Sequence, residues 1–234
     1  MTTVIAIDTS GPVTCIGLHR PNAPSLGVRA SGGRNHAEVI DTLMLEAMDH
    51  LGAERPDSIA VGVGPGPYSG LRVGISFAIG LGRAWLRPVV GVCSLDAIAW
   101  AALDNELKGN PVEDFVVTTD ARRDEIYWAR YDAAGSRSRG PQVIKRAQAD
   151  FAGRVIAERE VDAALMATRV ARYIDEGCGP QASSDRWAPH GDDGSAVVVP
   201  PGPLLAPRPL YLRAPDITAS AGTSGRSTSA GAGS

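Results

Sequence analysis

Short apolar runs and longer amphipathic stretches alternate along the first half of the chain, and their spacing predicts its elements. Val4 to Asp8 is an apolar run closed by an acid. After the turn Thr9-Ser10-Gly11-Pro12, the runs Val13 to His19 and Leu26 to Ala30 read as two more strands joined by hairpins. From His36 to Leu51 the period changes. Val39, Ile40, Leu43, Met44, Ala47 and Leu51 recur at helical spacing, and Leu45 and Met48 widen the apolar stripe beyond what one core face requires. Then come a strand over Ile59 to Val63, a glycine-rich loop, a helix over Leu71 to Trp85, a strand over Val89 to Val92 and a helix from Ser94 to about Leu107, with Ser94 as its expected N-cap.

Around Lys108 to Pro111 the pattern breaks, which sets an expected boundary between an N-terminal lobe, residues 1–108, and a C-terminal lobe, residues 109–215. The second part opens as the first does. Phe115 to Asp120 is an apolar run closed by an acid, the turn Ala121-Arg122-Arg123-Asp124 follows, and Glu125 to Asp132 continues as a strand. A strand-turn-strand unit heading each half predicts two lobes built alike. Residues 142–160 are mixed in character. Val161 to Glu176 reads as a helix capped by Gly177, Pro180 to Pro209 is rich in Pro, Gly and Asp, and residues 216–234 have too little apolar bulk to fold.

The loop Gly64-Pro65-Gly66-Pro67-Tyr68-Ser69-Gly70 joins a strand to a helix, a place where unpaired N–H groups and a helix dipole favour phosphate. Neither common phosphate motif is met. A P-loop needs Lys and then Ser or Thr after its last glycine, where Leu71 and Arg72 stand, and a dinucleotide fingerprint needs glycine at Ser69. In the helix that follows, Gly70, Gly74, Ala78 and Gly82 recur every fourth residue. Glycine inside a helix costs about 1 kcal/mol relative to alanine, so the stripe predicts close approach by another backbone. Arg72 and Arg83 bracket this helix, which is too short to span a bilayer.

With 234 residues, 44% of them hydrophobic, the chain is long enough for one large domain or two modest lobes with real cores. Its formal charge of −3 gives no footprint for direct nucleic-acid binding. Cys15, Cys93 and Cys178 are far apart and odd in number, which predicts neither a disulfide framework nor a zinc site and fits a reduced cytoplasm. The first strand follows Met1-Thr2-Thr3 with no basic segment leading into a long apolar core, so neither secretion nor membrane anchoring is expected. His19, His50 and His190 stand beside no acid or cysteine cluster that would make a nucleophilic device.

Four segments together resemble the TsaB family, also called YeaZ: Val4 to Ser10, Gly64 to Gly74, Asp120 to Tyr127, and Pro209-Leu210-Tyr211-Leu212-Arg213. The resemblance runs through about Tyr131 and thins beyond Pro141. It implies an α/β fold of the actin, sugar-kinase and Hsp70 ATPase class, with two lobes of mixed sheets flanked by helices. It also implies a non-catalytic subunit of the machinery that makes threonylcarbamoyladenosine at position 37 of tRNAs.

In that family the helices corresponding to His36 to Leu51 and Gly70 to Trp85 pair with the catalytic subunit TsaD in a four-helix bundle. The implied interface residues are therefore His36, Val39, Ile40, Leu43, Met44, Gly70, Gly74, Ala78 and Gly82. The resemblance further implies docking of TsaE on the assembled pair, tRNA contact only through the complex, and a homodimer when the chain is alone. It implies no cofactor held by this chain itself, with ATP or ADP admitted at the interface of the complex. In catalytic relatives the first turn contacts phosphate and the aspartate before it helps hold a metal, which marks Asp8, Thr9, Ser10 and Asp120 as vestigial nucleotide-binding positions. A strand-ending aspartate is equally a turn former.

TsaD carries a His-x-x-x-His metal motif, and here Ile40 stands four residues after His36, so no metal site and no catalytic residue are expected. The rival expectation is a stand-alone ATPase or phosphotransferase with Asp8 and Asp120 across a cleft and Arg72 or Arg122 as its cation.

Overall fold

The computed structural model describes residues 1–31, 35–52, 54–109, 113–157, 159–179 and 202–212. The expected tail, 216–234, and most of the Pro- and Gly-rich stretch lie outside the described residues.

Two sheets carry the fold. The first runs in the order β3-β2-β1-β4-β5, built from β1 (Val4–Asp8), β2 (Val13–His19), β3 (Leu26–Ser31), β4 (Ser58–Gly62) and β5 (Val89–Val92). β1, β4 and β5 are parallel, and β2 and β3 are antiparallel additions at one edge. Every residue of β1 and β4 is buried, because helices cover both faces of the sheet, and this is why these runs read as continuously apolar. On one face lie α1 (His36–Leu51), against β2 and β3, and α2 (Tyr68–Trp85), against β4.

The second sheet repeats the plan on a smaller scale. Its order is β8-β7-β6-β9, from β6 (Phe115–Arg122), β7 (Glu125–Tyr131), β8 (Arg137–Lys145) and β9 (Arg154–Ala157), with β6 and β9 parallel and β7 antiparallel to its neighbours. In both sheets a hairpin pair carries a third antiparallel strand on one side and a parallel strand on the other. This is the duplicated two-lobe architecture of the expected actin and sugar-kinase class.

Chain order and lobe membership part company after the second sheet. α3 (Ser94–Asp104) lies against β6 and β7, and α4 (Ala163–Asp175) packs mainly on β1 and β2 of the first sheet. The segment 202–212 also returns to the first lobe. Leu205 bridges Gly91, the Leu210 N–H donates to the Val63 carbonyl at 2.7 Å, and Tyr211 stacks on Tyr68 at 4.6 Å. The sequence boundary at 108 therefore does not separate the lobes in space. α4 begins at the cap Asp162, whose carboxylate accepts the Leu165 N–H at 2.9 Å. It ends as expected at Gly177, whose φ of 82° permits the chain reversal. No helix among the described residues is long and apolar enough to cross a membrane.

Candidate functional site

A cavity of about 780 Å³ opens between the two lobes. Asp8 ends β1 on its floor, 2% exposed. Its Oδ1 accepts the Ser10 N–H at 2.9 Å and the Ser10 hydroxyl at 2.8 Å, and its Oδ2 accepts the Ser94 hydroxyl at 2.7 Å. Burial holds the Asp8 carboxyl above its usual range, against the downward pull of these hydrogen bonds and of His36. Ser94 also receives the Gly64 N–H at 3.3 Å. It was expected to cap α3. Instead it is the first helical residue and makes no cap bond, and it joins Asp8 to the glycine loop.

The other turn residues divide. Ser10 lines the cavity, whereas Thr9 is fully buried and donates its hydroxyl to the Gly70 carbonyl at 2.8 Å, tying the first turn to the start of α2. Asp120 lines the same cavity from the second lobe, largely exposed and 3.4 Å from Arg146. The position that helps hold a metal in catalytic relatives is tied up here within the chain. Three internal donors already hold the Asp8 carboxylate, two on Oδ1 and one on Oδ2, and among the described residues no group of three or more His, Cys, Asp or Glu converges into an all-protein metal cage.

His36 is the first residue of α1 and is buried, its Nδ1 2.8 Å from the Thr14 hydroxyl. Burial lowers its pKa from the ordinary value, with Asp8 opposing. It is thus a fastening between β2 and α1 within its own lobe.

The small-residue stripe of α2 requires a correction. Gly70, Gly74, Ala78 and Gly82 are all buried against the chain's own first lobe. A Cβ at Gly70 would meet the Thr9 carbonyl oxygen and His36, one at Gly74 would meet the Thr9 hydroxyl, and one at Gly82 would meet Val89. What they admit is the lobe's own: backbone at Gly70 and side chains at Gly74 and Gly82. On α1, Ile40, Leu43 and Met44 also face inward, and Val39 alone of that set is partly exposed.

The outward apolar surface lies one step round each helix. Leu45 is 67% exposed, Met48, Val73, Phe77 and Leu81 are half-buried, and a Cβ at Gly80 would have nothing within 4 Å. Leu45 and Met48 were legible as surplus apolar positions. Phe77, Gly80 and Leu81 carry no such signal in the sequence, because α2 is apolar nearly all round and its four-residue glycine repeat marks the neighbouring, inward face.

The family described as "TsaD: tRNA N6-adenosine threonylcarbamoyltransferase" matches this chain over residues 29–171. The uncharacterized protein Rv3421c of Mycobacterium tuberculosis is 36% identical over 92% of this chain and 94% of its own length. The tRNA threonylcarbamoyladenosine biosynthesis protein TsaB of Haemophilus influenzae is 31% identical over 55% of this chain and 53% of its own. Among solved structures, an uncharacterized protein with similarity to peptidase YEAZ from Pseudomonas aeruginosa superposes with a TM-score of 0.70 at 22% identity. That superposition covers 91% of this chain and all of that one, and it speaks for the shared fold.

Proposed function

The chain belongs to the TsaB/YeaZ family within the TsaD-like domain family, and from that premise we propose that it is a non-catalytic subunit of the cytoplasmic machinery that places threonylcarbamoyladenosine at position 37 of tRNA. Its role in this reading is to pair with TsaD through the outward face of α1 and α2, with TsaE joining the assembled pair and tRNA held by the complex. Nucleotide, where it takes part, sits at the interface of that assembly.

One observation carries the partner reading. Gly70, Gly74 and Gly82 each have a reason inside the chain, but Gly80 has none: it stands mid-helix with open space above it and the half-buried Ile79 and Leu81 on either side. A glycine there weakens the isolated helix, and a backbone brought close from another chain supplies the compensation. Leu45 on α1, with Phe77 and Leu81 on α2, provides apolar area whose burial drives association at roughly 25 cal/mol per Å². In the absence of TsaD the same face accounts for a homodimer.

Co-purification with TsaD from the same source tests this. Gly80→Arg and Leu45→Glu are each expected to cut recovery of the pair at least tenfold while the far-ultraviolet circular dichroism of the chain stays unchanged. Full recovery with both changes combined would remove α1 and α2 from the contact.

The rival, a stand-alone ATPase or phosphotransferase, draws on one fact, that Asp8 and Asp120 line a single cavity. The engaged oxygens of Asp8 count against it, and turnover of Mg·ATP by the isolated chain would restore it.

A further inference from the structure

Three arginines and three acids, Asp8, Asp120 and Glu160, share the lining of the inter-lobe cavity. Arg122, Arg146 and Arg159 reach it from three separate segments: the end of β6, the short 3-10 turn after β8, and the loop before α4. Two of these are held in place, Arg146 by Asp120 at 3.4 Å and Arg159 by Glu106 at 3.1 Å. Glu160, another acid of the lining, lies 3.5 Å from Arg29. Arg122 has no ion-pair partner among the described residues.

The backbone around Arg122 is strained. Arg122, Arg123 and Asp124 have φ of 61°, 53° and 59°, three consecutive non-glycine residues in the left-handed region, and a bulge between Asp120 and Arg122 shifts the register of the hairpin. Left-handed backbone is unfavourable for residues with a Cβ, and strain of this kind persists where the surrounding structure uses it to place a side chain. Across the same cavity lie Ser69 and Gly70 of the first turn of α2. That helix starts at Pro67 with no side-chain cap and no acid in its first turn, so its positive end is uncompensated.

We propose that this cavity binds a small organic anion, a phosphate ester or a carboxylate, directly on arginine and backbone donors and without a divalent metal. Its volume suits a ligand of metabolite size, and Leu95, Ile98 and Val161 supply an apolar wall for the uncharged part. The arginines take the charge-compensating place that a metal holds in phosphate-transferring sites, while the Asp8 carboxylate is held by three donors of its own chain. The proposal concerns the chain alone and stands apart from its pairing with TsaD.

Isothermal titration of the full chain with inorganic pyrophosphate and, separately, citrate, in buffer containing EDTA, tests it. Saturable binding of either is expected. Arg122→Gly should weaken it tenfold or more while the melting temperature stays equal or rises, because glycine accepts φ near 60° without strain. Arg159→Gln should weaken it too, and Arg83→Ala, at the exposed far end of α2, should leave it unchanged. Response to pyrophosphate alone assigns a phosphate ester, and response to citrate alone assigns a carboxylate. Silence with both probes, binding that demands Mg²⁺, or undiminished binding by the Arg122→Gly and Arg159→Gln proteins would overturn the assignment.

Discussion

Gly74 and Gly80 belong to the same helix and are glycine for opposite reasons. A methyl group at Gly74 runs into the Thr9 hydroxyl, which is itself bonded to the Gly70 carbonyl, so Gly74→Ala must displace a buried hydrogen bond. Such overpacking costs about 1–3 kcal/mol. At Gly80 the added methyl meets nothing, and Gly80→Ala is expected to gain roughly 0.5–1 kcal/mol from lost backbone freedom in the unfolded chain. Urea denaturation of the two variants measures the contrast, and equal stability of both would remove the inward placement of the stripe. The four-residue spacing marked a closely packed face, with backbone against Gly70 and side chains against Gly74 and Gly82. It carried no information on whether the approaching atoms came from this chain or another, because both contacts need the same missing Cβ.

At the scale of elements, the junction of β2 with α1 depends on a neutral imidazole. His36 bonds the Thr14 hydroxyl in a buried setting, and burial lowers its pKa from 6.5. The unfolded chain then binds the proton more readily than the folded one. The stability from this group is complete above pH 6.5 and is lost as pH falls from there through the lowered folded value. His36→Gln should remove that part of the slope, read by comparing denaturation midpoints of the two proteins between pH 7.5 and 5. A variant with the wild-type slope would show that His36 does not titrate with folding.

The same scale separates what was legible from what was not. β1, β4, α1 and α2 announced themselves, since fully buried strands are continuous apolar runs and helices carry a 3.6-residue period. β8 and β9 did not. β8 carries Arg137, Arg139, Gly140 and Pro141, and β9 is four residues long with one buried position. Both are edge strands, where charge, proline and brevity are tolerated because one side of the ladder has no partner.

Over the whole molecule the two lobes are joined by polar contacts as well as by core. Asp96 on α3 accepts the Tyr131 hydroxyl at 2.7 Å and Arg137 Nε at 2.9 Å, all three side chains buried, so a helix of the first half is fastened to β7 and β8 of the second. Arg137→Met leaves the Asp96 carboxylate buried without its cation and is expected to cost about 3 kcal/mol. Adding Asp96→Asn should recover part of that loss, since the charge that made the gap costly is then absent. Chemical denaturation of the single and double variants decides this. Strict additivity of the two losses would show that the pair does not act as a unit.

The repeated strand-turn-strand units, the glycine loop and the apolar surplus on α1 were determined by local pattern, and the resemblance carried by four short segments added the fold class and the family. Those features follow from backbone geometry and side-chain period, which act over a few residues. The tertiary structure alone decided that Gly70 and Gly74 face Thr9, that Ser94 braces Asp8, that α4 and residues 202–212 return to the first sheet, and that three arginines line one cavity. Each of these joins residues far apart in the chain, and a one-dimensional pattern carries no term for contacts that only packing brings together.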